Sequence, residues 1–319
     1  MATIPSIALI PSGVKLNEIY SVLPTNGDGD LLFTRETPAT RVNSSGLIEE
    51  VATGIPRLDY TNGSCPSWLI EPQSTNLYLN SATLSTQNIT TLASTYTVSF
   101  YGTGTITFSG TYIGSLVGTG VNNRVKLTFT ATAGTLTSTI SGTVTNGQAE
   151  NLGYETSYIL TLGSMQTRVA ETASKTGLTN YINSQEGVFY FEIASLFNTA
   201  NKRRISLSDG SINNRITFEY NSSANLIAFF VVLNGIIQST LTYTLPSAQN
   251  FYKIALKWKL NDFAIKVEGI EVALNTSGSV PLFSSLNYLV FHSGNGAEPF
   301  YGKIKDLRVY KNASDYNSL

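Results

Sequence analysis

Apolar residues in this chain recur at every second position, and almost nowhere at the three-and-four spacing of a helix face. In YTVSFYG, TITFSG and RVKLTFTAT, Val98 and Phe100, Ile106 and Phe108, and Val125, Leu127 and Phe129 alternate with polar residues. Side chains of a strand point to opposite faces in turn, so this pattern buries one face of a sheet and hydrates the other. Only Val14–Tyr20 and Thr172–Thr176 offer short helical turns. The expected fold class is therefore all-β, built as sandwiches or barrels.

The 319 residues divide by pattern into three parts. Residues 1–81 hold seven of the ten prolines, at positions 5, 11, 24, 38, 56, 66 and 72. Proline removes a ladder donor and is excluded from central strands. This part is expected to be extended, with few ladders, and to pack on another surface because it cannot fill a core alone. Residues 82–176 alternate cleanly and are long enough for one small β-sandwich. Residues 177–319 contain longer apolar runs. GVFYFEIASL shows little alternation, so both of its faces should be covered, whereas YKIALKWKLND should have one buried and one basic, hydrated face. Asn234-Gly235 and Glu268-Gly269 separate apolar runs and are read as hairpin turns.

Composition excludes several functions. Charged residues make up only 13% of the chain and the net charge is −1, which argues against a nucleic-acid partner. With 42% hydrophobic residues the chain is not a disordered one. No run reaches 18 uninterrupted apolar residues, so no transmembrane helix and no membrane partner are expected. MATIPSIALIPSG lacks a basic start and is interrupted by Pro5 and Pro11, so it is not read as a signal peptide. Six N-x-S/T triplets, at Asn43, Asn62, Asn88, Asn221, Asn275 and Asn312, are attributed to a composition rich in Asn, Ser and Thr. One cysteine and one histidine leave no internal disulfide and no Cys/His zinc site. A Cys65–His292 dyad is the sole thiol–imidazole pairing available, and a half-buried thiol beside an unrelated loop imidazole is the simpler reading.

Two blocks resemble bacteriophage tail and fibre proteins. GLIEEVATGIPRLDY with GSCPSWLIEPQSTNLYLNS carries an Ile-Pro-Arg-hydrophobic-Asp-Tyr element (Ile55 to Tyr60) and a Glu-Pro-Gln-x-Thr-Asn-Leu element within Ile70 to Leu77. QAENLGYETSYILTLGSMQTRVAE carries Tyr-x-Thr-Ser-Tyr-Ile (Tyr154 to Ile159) followed by Thr167-Arg168. The last part, closing on GKIKDLRVY, resembles a concanavalin A-like, laminin-G-like jelly roll. The resemblance implies an all-β virion surface protein assembled in the host cytoplasm, a tail or head fibre or spike component. It would attach to other virion proteins through residues 1–81 and display its sandwiches for multivalent binding to host-surface polysaccharide. Multivalency favours a homo-oligomer, a trimer on a fibre axis. The alternative is a structural decoration or connector protein of the virion without ligand binding.

Candidate residues follow. Arg57, Asp59, Glu71 and Arg168 lie in the phage-like blocks; they either pin a linker to a sandwich or make a virion or subunit contact. Arg57 and Asp59, at i and i+2, are placed to pair locally, and Glu71 to accept from Arg57 or Arg168. In the loops of the last part, Asp209, Asn213, Asn295 and Glu298 supply hydrogen-bonding groups for a sugar, and the oxygen donors that Ca²⁺ takes. EF-hand spacing is absent, and no other cofactor or metal is expected. Lys202-Arg203-Arg204 reads as a charged, solvated strand edge. No carboxylates stand at the spacing of retaining glucanases, no G-x-S-x-G elbow accompanies His292, and GTGTITFSG and VGTGVNN precede no helix. No catalytic residue and no enzymatic activity are therefore expected.

Overall fold

The structure is a computed structural model that describes residues 3–61, 63, 65–198 and 201–319. Asn62 and Ser64 of one N-x-S triplet and the first two residues of the N-terminal run lie outside the described residues.

Two eight-stranded antiparallel sheets face each other. One runs in the order Ile270–Asn275, Phe263–Val267, Tyr252–Lys259, Glu186–Ser195, Gly302–Tyr310, Ser67–Ile70, Arg57–Asp59, with Ile7–Leu9 sharing the Gly302–Tyr310 edge. The other runs Glu18–Ile19, Leu31–Thr34, Thr172–Lys175, Tyr288–Val290, Arg203–Ser208, Arg215–Tyr220, Leu226–Leu233, Ile236–Thr244. Their inner faces form one core, with Phe189, Phe191, Trp258 and Leu307 from the first sheet against Phe33, Leu207, Phe218 and Phe229 from the second. This is a jelly-roll sandwich, and the chain is all-β as its alternation requires. Glu186–Ser195 sits in the middle of its sheet. Its outward Val188 is covered by Tyr310 and by Tyr316 of the terminal 3-10 turn Ala313–Ser318, while Glu186 and Glu192 on the same face stay partly exposed.

A smaller sandwich occupies the middle of the sequence. Gly120–Ala131, Ser94–Gly102 and Val144–Glu150 form one sheet; Gly114–Val117, Thr105–Gly110, Gly134–Ser141 and Gln87–Thr91 form the other. Val98, Phe100, Ile106, Phe108, Phe129 and Leu136 fill its core, while Val125 and Leu127 stay half-buried.

The first 81 residues depart from the expected separate attachment segment. Ile7–Leu9 pairs with the last strand, in register Ile7 to Val309, and Leu31–Thr34 pairs with Thr172–Lys175. The small sandwich is thus an insertion into the large one rather than the second of three consecutive parts. The prolines explain the form of this contribution. Pro5 and Pro11 bracket Ile7–Leu9, Pro56 precedes Arg57–Asp59, and Pro66 and Pro72 bracket Ser67–Ile70. Each strand is held to three or four residues, too short to make its own core and suited to filling places in a larger sheet.

Both hairpin turns take left-handed backbone at their two central residues: Asn234 and Gly235 at φ 50° and 78°, Glu268 and Gly269 at φ 50° and 78°. Gly187 is required for a different reason. A Cβ there would stand 2.4 Å from the Tyr310 carbonyl oxygen and 2.5 Å from the Trp258 ring. Gly187→Ala is expected to cost about 1–3 kcal/mol through overpacking. Urea unfolding checks this, and a wild-type midpoint would mean that the central strand can shift at no cost.

Candidate functional site

The two phage-like blocks, about a hundred residues apart in sequence, meet in one buried ion cluster. Arg57 follows Pro56 at the start of a short strand, and Glu71 stands between the strand Ser67–Ile70 and Pro72. Arg57 Nη1 donates to Glu71 Oε2 at 2.7 Å, and its Nε donates to Glu171 Oε1 at 2.9 Å. Its Nη2 also donates to Glu171. Arg35 Nη1 reaches Glu171 Oε1 at 2.7 Å, and Arg168 Nη1 lies 3.0 Å from Glu71 Oε2. Ser157 donates to Glu71 through its N–H at 2.8 Å and its hydroxyl at 2.7 Å. Burial alone would raise the Glu71 carboxyl, but Arg168, Arg57 and the two Ser157 bonds outweigh it and hold the group down at about 2. Burial likewise works against the Arg57 charge, and Glu171 and Glu71 overcome it, so that guanidinium is held more firmly protonated than usual.

This placement corrects the contact reading of Arg57, Asp59, Glu71 and Arg168. All four are at most 3% exposed, so none presents a side chain to a subunit or virion surface. Arg57 and Asp59 do not pair. Asp59 accepts from Lys303 Nζ at 2.9 Å and from the Val42 N–H at 3.0 Å. Nearby, Asn76 of the first block donates to the Gly147 and Ile159 carbonyls at 3.0 and 2.8 Å and accepts from the Ala149 N–H at 3.1 Å. The blocks therefore tie the small sandwich to the large one. Glu171, the last residue of the second block, and Arg35, which the sequence marks only by its charge, complete the cluster.

Two of the four loop residues, Asp209 and Asn295, close their own turns. Asp209 accepts from Ser211 N–H and Oγ at 2.8 and 2.6 Å and from Asn214 Nδ2 at 2.8 Å. Burial pushes its carboxyl up, and these bonds bring it below the usual range. Asn295 Oδ1 accepts from Ser293 Oγ and the Ala297 N–H, and Glu298 pairs with Arg204. Asn213 is exposed and gives its backbone carbonyl to the Gly235 N–H. The 292–298 loop lies along the outer face of the second sheet, fixed by Arg215 on the Ser293 carbonyl at 3.0 Å and by the Arg204 N–H on the Glu298 carbonyl at 3.1 Å. The chain's own 292–298 loop thus covers part of that face, while the Asn213 side chain stays exposed. Nor do Lys202-Arg203-Arg204 form a solvated edge. Arg203–Ser208 lies between two other strands; Arg203 is 3% exposed and donates to the Phe197 carbonyl at 2.7 Å, and Arg204 donates to Glu219 at 2.6 Å. Among the described residues no three His, Cys, Asp or Glu side chains gather as a metal site. Cys65 and His292 line different cavities; His292 Nδ1 accepts from the Gly294 and Gly296 N–H groups at 3.0 and 3.1 Å.

A cleft of about 940 Å³ opens where the two sandwiches meet beside the hairpin Ala39–Val42/Ile48–Val51. The small sandwich contributes Tyr101, Asn122, Asn123 and Arg124; the large one contributes Gln249, Asn250, Phe251 and Lys305. Tyr60 adds a third ring. Burial raises the Tyr101 hydroxyl above its usual range, so it remains a protonated donor through the physiological range. The wall thus combines ring faces, side-chain amides and hydroxyls. Apart from Tyr60, which ends the Ile55 to Tyr60 element, and Lys305 in the closing GKIKDLRVY run, these cleft residues do not stand out in the sequence: Arg124 sits on the hydrated face of an alternating strand.

No family model matches the chain, and no curated protein matches it. Its backbone is similar to part of several solved structures. The CBM40 module of the Ruminococcus gnavus IT-sialidase, bound to α2,3-sialyllactose, shares 15% identity over 42% of this chain and 82% of that chain, with a TM-score of 0.34. The endo-β-1,3-glucanase from Pyrococcus furiosus shares 18% over 47% and 69%, at 0.33. A leech intramolecular trans-sialidase shares 17% over 43% and 24%, at 0.34. At such scores the likeness transfers neither ligand nor activity to this chain. It does overturn one expectation: absence of enzymatic activity does not follow for a chain whose structural neighbours include glycoside-cleaving enzymes, and that exclusion is withdrawn.

Proposed function

We propose that the chain binds carbohydrate in the cleft between its two sandwiches, as a multivalent surface component of a phage virion. The observation that carries the binding is the cleft wall itself. Tyr60, Tyr101 and Phe251 offer apolar faces for ring C–H groups, while Asn122, Asn123 and Asn250 offer paired donors and acceptors for hydroxyls. The virion setting rests on the two blocks that resemble tail and fibre proteins. Several copies on one particle, a trimer along a fibre axis, would make a weak single site sufficient by raising avidity about 10²–10⁴-fold. Attachment to other virion proteins would use exposed side chains among residues 1–81, such as Leu16 at 61% exposure, because the strands of that part belong to the sheets.

The test is retention of the intact protein in native gels cast with a panel of bacterial surface polysaccharides. Asn250→Trp, at an exposed position on the cleft wall, places a bulky ring across the site without touching either core. At least one polysaccharide should retard the wild type, and the tryptophan variant should migrate as if the glycan were absent. Equal retardation of both proteins places binding elsewhere, and no retardation on any glycan favours the virion connector without a ligand.

A further inference from the structure

The charges facing the cleft are not balanced. Its carboxylates are each committed: Asp59 to Lys303 at 2.9 Å, Glu155 through both oxygens to Lys126 at 2.9 Å, and Glu71 to Arg57 and Arg168. Two of its cations are committed as well, Lys303 to Asp59 and Arg41 to Glu49 at 2.9 Å. Arg124 and Lys305 are different. Arg124 has no carboxylate within 4.0 Å among the described residues; its Nε and Nη2 donate to Ser99 Oγ at 3.2 and 2.8 Å, and its Nη1 donates to the Thr156 carbonyl at 2.7 Å. Those three bonds go to neutral acceptors. They fix the plane of the guanidinium and use three of the five N–H groups an arginine carries, leaving one on each Nη. Lys305 Nζ lies 4.2 Å from the Phe251 ring centroid and has only a long 3.8 Å contact with Glu192.

From this arrangement we propose that the cleft selects acidic polysaccharide, with Arg124 as the preorganised seat for a sugar carboxylate and Lys305 as a second cation, held over the Phe251 ring. The inference rests on the carbohydrate-binding reading of the same cleft and adds its ligand class. A held guanidinium with two N–H groups to spare meets a carboxylate without first losing a partner, and charge-assisted bonds of this kind are the stronger ones. A neutral glycan would leave both cations to water.

The probe is polygalacturonate, compared with its fully methyl-esterified form, which keeps the sugar and removes the charge. Dissociation constants are measured on the intact protein by titration calorimetry for wild type, Arg124→Gln, Lys305→Gln and Asn250→Trp. The acid form is expected to bind the wild type about tenfold or more tighter than the ester. Arg124→Gln should erase most of that preference by weakening the acid form far more than the ester, and added salt should weaken only the acid form. Equal affinity for acid and ester, both lost in Asn250→Trp, overturns the acidic selection and leaves the cleft reading standing. Acid preference that survives Asn250→Trp overturns both, and no binding of either polymer overturns the acidic selection alone. Unaltered thermal unfolding of Arg124→Gln separates a lost ligand contact from a lost fold, since its removal frees only the hydroxyl of Ser99 and the carbonyl of Thr156.

Discussion

Glu171→Ala is expected to destabilise the protein by about 3–5 kcal/mol, the usual penalty for removing one partner of a buried ion pair. Glu171 is, among the described residues, the sole carboxylate bridging Arg35 and Arg57, and all three side chains are fully buried. With it gone, Arg35 keeps only backbone carbonyls of Thr37, Ile55, Val51 and Ala52, and Arg57 keeps Glu71 alone as its charge partner. Urea unfolding followed by tryptophan fluorescence reads the effect directly, because Trp68 and Trp258 lie in the large core. Lys126→Ala is the matched control. That residue's pair with Glu155 is half-exposed, and its loss should cost no more than about 1 kcal/mol. If the two variants lose similar stability, the cluster does not hold the sandwiches together.

Acid should attack the same cluster. The Glu71 carboxyl lies near 2 in the folded chain against 4.5 for an ordinary one. Its folded value is depressed, so its contribution is fully present above about pH 4.5 and is lost as pH falls toward 2. The difference corresponds to about 3 kcal/mol, of which about 2 kcal/mol is gone by pH 3. Urea midpoints between pH 6 and pH 3 should fall steeply for the wild type. Glu71→Gln should begin lower at pH 6 and fall less over the same window. Parallel curves for the two proteins would show that another group governs acid unfolding.

Local features of the fold were legible because their causes are local. Alternation marks Ser94–Gly102 and Tyr252–Lys259, and the two turns at Asn234-Gly235 and Glu268-Gly269 carry the residues that left-handed backbone asks for. The places of Ile7–Leu9 and Ser67–Ile70 were not legible. Each is too short to show a period, and its partner lies hundreds of residues away, in the last strand. The candidate residues divide in the same way. Arg57, Glu71 and Arg168 stood out through their blocks, but burial, which turns them from a surface contact into an internal clasp, is a tertiary fact. Asp209 and Asn295 sit in loops of the right composition and spend their oxygens on those same loops. The cleft is harder still, since Arg124, Asn250 and Lys305 come from three separate elements whose local patterns are ordinary.

The pairing of Ile7–Leu9 with Leu307–Val309 sets an order of events during synthesis. A chain made at about 5–20 residues per second carries that first strand without its partner for roughly 15–60 s. The small sandwich draws its strands from one stretch, Gln87 to Glu150, and is complete while the second half of the large one has yet to leave the ribosome. The inserted domain is thus the part able to form first, and Ile7–Leu9 and one edge of Ser67–Ile70 wait for the final nine-residue strand to close the sheet. Any shortening that removes Gly302–Tyr310 leaves Ile7, Leu9, Trp68 and Ile70 without the neighbour that buries their edge, and such fragments should reach the insoluble fraction.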